Sequence, residues 1–103
     1  MPAVHLDKNN FERLVIDEKR TAIIDFWAPR CAPCRMLGPV VEAVAEEVPE
    51  GVLVGKVDAD QEPELSIRYN VMAIPTLIAF RDGQEVRRTV GLTSKEEILG
   101  LLD

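Results

Sequence analysis

The residues of this chain best equipped for chemistry are Cys31 and Cys34, separated only by Ala32 and Pro33. Cysteine attacks as its thiolate, and a thiolate that opens a disulfide forms a mixed disulfide that a second nearby thiol can resolve. A pair at i, i+3 suits this chemistry, since two sulfurs one helical turn apart can make and break a bond with little backbone movement. If the pair opens a helix, unpaired N–H groups and the positive end of the helix dipole lower the pKa of the first thiol. Arg30 and Arg35 flank the pair. At about 7 Å and an effective dielectric of about 40 to 80, each would favour the thiolate by roughly 0.6 to 1.2 kcal/mol. Two other uses of the pair stand beside the redox one. A zinc half-site needs two more ligands, and His5 is the one further candidate of nitrogen or sulfur type; two idle thiols packed in a core are the other alternative. A structural cross-link is disfavoured, because closing so short a loop stabilises a fold by roughly 2 kcal/mol or below.

Asp25 is the next anomaly, since the run Thr21-Ala22-Ile23-Ile24-Asp25-Phe26-Trp27 is otherwise apolar after its first residue. In a central strand Asp25 is buried, and desolvation raises a carboxyl pKa toward neutrality, where it can serve as base or proton relay for the Cys34 thiol. A hydrogen-bonded Asp with only a structural role fits the same pattern. Lys56 interrupts a second apolar strand in the same way, either to tune Asp25 from across the sheet or to snorkel to solvent. Trp27 divides between core and surface, where its indole can shield a thiol or touch a partner. Ile74-Pro75-Thr76 places a proline at a strand start.

The elements that must position these residues alternate. Phe11, Leu14 and Val15 follow the capping candidates Asp7, Asn9 and Asn10, which predicts a helix over residues 8 to 18. Thr21 to Trp27 reads as a strand covered on both faces. From Cys34 onward, apolar residues at helical spacing predict a long amphipathic helix, with Pro39 inside it and Pro49 and Gly51 ending it. Val52 to Val57 is a strand, and Pro63 opens a short helix to about Tyr69. Thr76 to Phe80, Asp82-Gly83 and Glu85 to Val90 read as a hairpin. Ser94 and Glu97 form a capping box before a final helix. This order implies an α/β sandwich on a mixed sheet, without a glycine-rich phosphate loop.

Composition narrows the functions. The 12 basic and 18 acidic side chains give a net charge of −6, and the basic ones are scattered, which argues against nucleic acid or an anionic membrane surface as partner. No run approaches the roughly 18 apolar residues of a spanning helix. The N-terminus has neither the basic nor the apolar region of a secretory signal, so a reducing intracellular compartment is expected, where a close Cys pair is catalytic or metal-binding. A chain of this length buries roughly 65% of its unfolded surface, enough for one core without staples.

Asp25-Phe26-Trp27-Ala28, Cys31-x-Pro33-Cys34, Pro39, Lys56-Val57-Asp58, Ile74-Pro75-Thr76, Phe80-x-x-Gly83 and Gly91 together resemble the thioredoxin family, over nearly the whole chain. The resemblance implies a single thioredoxin domain over residues 1–103, with a central mixed five-stranded sheet of order 1-3-2-4-5 flanked by four helices. It implies Cys31 as exposed nucleophile, Cys34 as resolving thiol, Asp25 as the buried carboxylate serving Cys34, and Pro75 in cis facing the cysteines. Trp27, Ile74, Pro75 and Gly91 would border the substrate groove, while Ala32, Pro33 and Lys56 would tune the redox poise. It further implies a cytoplasmic monomer with no metal or bound cofactor, which reduces disulfide-containing client proteins and is recycled by thioredoxin reductase with NADPH. Two departures bear on the poise: Ala32 replaces the family's usual glycine, and Arg30 its usual tryptophan. A more oxidising disulfide donor or isomerase, and a non-catalytic interaction module, are the alternatives.

Overall fold

A computed structural model describes residues 2–103. Five strands, β1 (Val4–His5), β2 (Ala22–Trp27), β3 (Leu53–Asp58), β4 (Thr76–Arg81) and β5 (Gln84–Val90), form one sheet in the order β1-β3-β2-β4-β5. The first three are parallel; β4 runs antiparallel to β2, and β5 antiparallel to β4. Four helices flank it: α1 (Lys8–Phe11), α2 (Ala32–Glu47), α3 (Pro63–Arg68) and α4 (Lys95–Gly100).

Side-chain alternation on β2 divides the core. Ala22, Ile24 and Phe26 join Phe11, Val15, Leu65 and Phe80 on the face covered by α1 and α3. Ile23 joins Leu37, Val41, Val44, Leu77 and Ile98 on the face covered by α2 and α4. Asp25, two residues after Ile23, therefore points to the α2 side. On the opposite face Phe11, Tyr69 and Phe80 pack edge-on, with ring centroids 5.0 to 5.6 Å apart.

Two local expectations are corrected. The helix predicted over residues 8 to 18 is α-helical only to Phe11 and continues as a π-helix over Glu12–Asp17, whose wider turn closes with the Glu18 amide on the Arg13 carbonyl at 3.1 Å. That turn lets Leu14, Val15 and Ile16, three consecutive residues, all reach the same core. The capping box at α4 is half made: Ser94 accepts from the Glu97 amide at 3.1 Å, but the Glu97 carboxylate accepts from Thr93 Oγ1 at 3.0 Å. The complete box is at α1, where Asp7 accepts from the amides of Asn9 and Asn10 and Asn10 accepts from the Asp7 amide at 2.7 Å. The β4–β5 hairpin turns at Asp82 and Gly83, with φ of 56° and 79°. Both positive angles match the twist of a two-residue hairpin.

Candidate active site

The central strand β2 delivers Trp27 to a short loop, Ala28-Pro29-Arg30, that ends at Cys31. Cys31 is the N-cap of α2, with extended backbone (φ −93°, ψ 112°). Its sulfur accepts the Cys34 amide at 3.3 Å and its carbonyl accepts the Arg35 amide at 3.1 Å. Pro33 stands in the first turn, where a missing N–H leaves no partner unsatisfied. Cys31 and Cys34 form a disulfide with their Cα atoms 5.2 Å apart. Cys34 is buried at 2% exposure, whereas Cys31 is half-buried and Ala32 and Pro33 are exposed. Cys31 is thus the outward sulfur of the pair, and an amide already aimed at it is available to stabilise a thiolate.

Three residues from distant segments border this sulfur or each other. The Ile74 carbonyl oxygen lies 3.9 Å from Cys31 Sγ. The Ile74-Pro75 bond is cis. The Pro75 carbonyl accepts the Gly91 amide at 2.8 Å, and Gly91 has φ of +90°, a left-handed angle that favours glycine.

On the sheet face covered by α2, Asp25 is 1% exposed and its Oδ1 has no hydrogen-bond partner. Burial pushes its carboxyl pKa up from 3.8 to about 7, and the Lys56 charge offsets part of that rise. Lys56 is the register partner of Asp25 across β2 and β3. Its ammonium sits 4.2 Å over the Trp27 ring, and the His5 ring lies 6.4 Å from the same indole. The Trp27 Nε1 is buried without a partner.

The cations beside the pair are both engaged. Arg30 holds Asp60 through Nε at 2.7 Å and Nη2 at 3.0 Å, and Arg35 donates to the Pro29 carbonyl at 2.9 Å. The Asp60 carboxylate therefore offsets the Arg30 charge that would otherwise favour a thiolate at Cys31. Asp60 is the site residue that sequence reasoning missed, since no local pattern pointed to a residue 30 positions away. Among the described residues no group of three or more His, Cys, Asp or Glu could hold a metal ion, and no helix is long and apolar enough to cross a membrane.

A half-buried disulfide at the N-cap of the helix that follows the central strand, with a buried carboxyl group in that strand, defines a redox-active dithiol protein of the thioredoxin fold. Comparison with known proteins narrows the class. The sequence profile of the family described as Thioredoxin matches residues 2–103. Thioredoxin 1 of Synechococcus elongatus is 40% identical over 93 residues, spanning 90% of this chain and 87% of that protein. The thioredoxin of Chlamydia trachomatis is 50% identical over 80 residues, 78% of each chain. A mutant thioredoxin from Halobacterium salinarum has a similar solved structure, with a TM-score of 0.88 at 32% identity, covering 98% of this chain and 88% of that one. The chain belongs to the thioredoxin family and is a dithiol–disulfide oxidoreductase.

Proposed function

We propose that the protein reduces disulfides in client proteins by two successive exchanges, with Cys31 attacking and Cys34 resolving. The Cys31 thiolate attacks one client sulfur, the client S–S bond breaks, and the departing client thiolate takes a proton. The Cys34 thiol then passes its proton to Asp25 and attacks Cys31 Sγ. The mixed disulfide breaks, the internal disulfide forms, and the second client sulfur leaves and is protonated. The client gains two electrons and two protons, and the pair is oxidised by two electrons. NADPH, through thioredoxin reductase, returns those electrons to the internal disulfide.

The observation that carries the order of roles is the Cys34 amide on the half-buried Cys31 sulfur, with Cys34 itself buried behind it. The neutral range of the Asp25 pKa supports its role as proton acceptor. Trp27, Ile74, Pro75 and Gly91 form the groove for client backbone, and Ala32, Pro33 and Lys56 tune the poise. We read residues 1–103 as one domain, acting as a cytoplasmic monomer without metal or bound cofactor, and binding neither nucleic acid nor membrane.

Reduction of a protein disulfide by the wild type and by Cys31→Ser tests the reading. The variant is expected to fall to the uncatalysed rate, and equal rates would remove Cys31 from the role of attacker. Equilibration of the pair against glutathione tests the direction. A potential well above about −200 mV would make the protein a disulfide donor or isomerase instead.

A further inference from the structure

The two cations beside the cysteines are held by unlike partners. Arg35 rests on the Pro29 carbonyl, a neutral acceptor that leaves its charge in place. Arg30 meets both oxygens of Asp60, at 2.7 and 3.0 Å, in the forked geometry that suits guanidinium and carboxylate. Asp60 is itself built in. Asp58 accepts from the amides of Asp60 at 3.0 Å and Gln61 at 3.3 Å, and the Ala59 amide donates to the Trp27 carbonyl at 2.8 Å. The loop after β3 is thus stitched to the loop that presents Cys31, with its carboxylate on the guanidinium one residue before the sulfur. Their hydrogen bond raises the Arg30 pKa and lowers that of Asp60. Both side chains remain open to solvent, at 68% and 48% exposure, so a docked client can reach them.

We propose that Asp60 is a specificity-determining residue of the disulfide exchange: its carboxylate occupies the Arg30 guanidinium and keeps that cation from selecting clients with acidic side chains beside their disulfide. The inference rests on Cys31 being the attacking thiol, since only then does the client disulfide dock beside Arg30. Asp58 adds a second, weaker negative field at Arg30. Exposed charges act weakly and are screened by salt, so the effect is a bias between clients rather than a gate.

The test uses two peptide disulfides that differ only in a Glu or a Lys beside the bond. Their kcat/KM values are measured at low and high ionic strength with the wild type, Asp60→Asn, Arg30→Gln and the double variant. Asp60→Asn is expected to raise the Glu-to-Lys ratio about three- to tenfold at low salt, an effect that fades at high salt and shrinks at least twofold in the Arg30→Gln background. An unmoved ratio overturns the proposal. So does an equal shift in both backgrounds, because Asp60 would then act through its own charge alone. Cys31→Ser is run alongside. If it still reduces both peptides, the assignment of the attacking thiol fails; if it is inactive and the ratio is unmoved, only the role of Asp60 fails.

Discussion

Asp25 and Lys56 face each other on adjacent parallel strands, yet they form no ion pair among the described residues; the Lys56 ammonium lies 4.2 Å over the Trp27 ring instead. A direct pair would have held Asp25 ionised at all physiological pH. With the cation set aside on the indole, burial wins over the Coulomb attraction and the carboxyl group titrates near neutrality.

Stability should follow that titration. The Asp25 pKa is about 7 in the folded protein against an ordinary value of 3.8, so between these values the folded state keeps a proton that the unfolded state loses. The stabilisation is full below the ordinary value and is lost as pH rises through about 7. Relative to Asp25→Asn, the oxidised wild type is expected to match near the lower value and to be less stable by about 4 kcal/mol above the upper one. Chemical denaturation of both proteins across this range checks it, and a constant difference between them would mean that Asp25 does not titrate there.

The carboxyl group should matter to turnover as well. Asp25→Ala removes the proton acceptor assigned to Cys34, so resolution slows most near neutral pH while the fold gains stability. Rapid-mixing kinetics of the second exchange step, measured against pH, provide the test. Unchanged turnover together with an unchanged melting temperature would take Asp25 out of the relay.

Lys56→Met tests the balance from the other side. The Lys56 charge lowers the Asp25 pKa, so its removal should move the carboxyl titration upward from about 7. A carbon-13 NMR titration of the Asp25 carboxyl reads the midpoint directly. A midpoint at or below the wild-type value would show that Lys56 acts only through its contact with Trp27.

For Cys34→Ser, attack survives and resolution is lost, so the mixed disulfide with a client should accumulate and be recoverable under non-reducing conditions. In Cys31→Ser no such complex is expected. Recovery from the second variant and not the first would reverse the order of roles.

Gly91→Ala should lower stability by about 1 to 2 kcal/mol through its backbone alone. Its φ is +90°, and nothing lies within 4 Å of an added Cβ, so the penalty comes from conformation and not from a clash. Thermal unfolding checks the size of the effect. An unchanged melting temperature would mean that the segment relaxes around the new side chain.

The parts of this fold legible in the sequence are those with long periodic signals. β2 and α2 carry apolar patterns long enough to read, the hairpin is marked by Asp82-Gly83 between two strand-like runs, and the burial of Asp25 follows from its place in an apolar run. β1 is only Val4–His5, too short to show alternation, and its pairing with β3 is a tertiary fact. The π-helix over Glu12–Asp17 was hidden because Phe11, Leu14 and Val15 also satisfy an α-helical stripe. The site shows the same division. The cysteines, the buried acid and the strand-opening proline carry local signals. Asp60 on Arg30 and Lys56 on Trp27 arise only when β2 and β3 lie side by side, which no spacing along the chain encodes.

The sulfur proposed to attack the client is also the sulfur that caps α2. In the disulfide the Cys34 amide rests on a neutral atom at 3.3 Å, and in the dithiol state it faces an atom able to carry full negative charge. A helix terminus and a redox couple thereby share one acceptor. The Cys34 amide proton becomes a built-in reporter: its rate of exchange with deuterated solvent should fall as the pair is reduced and the Cys31 thiol ionises.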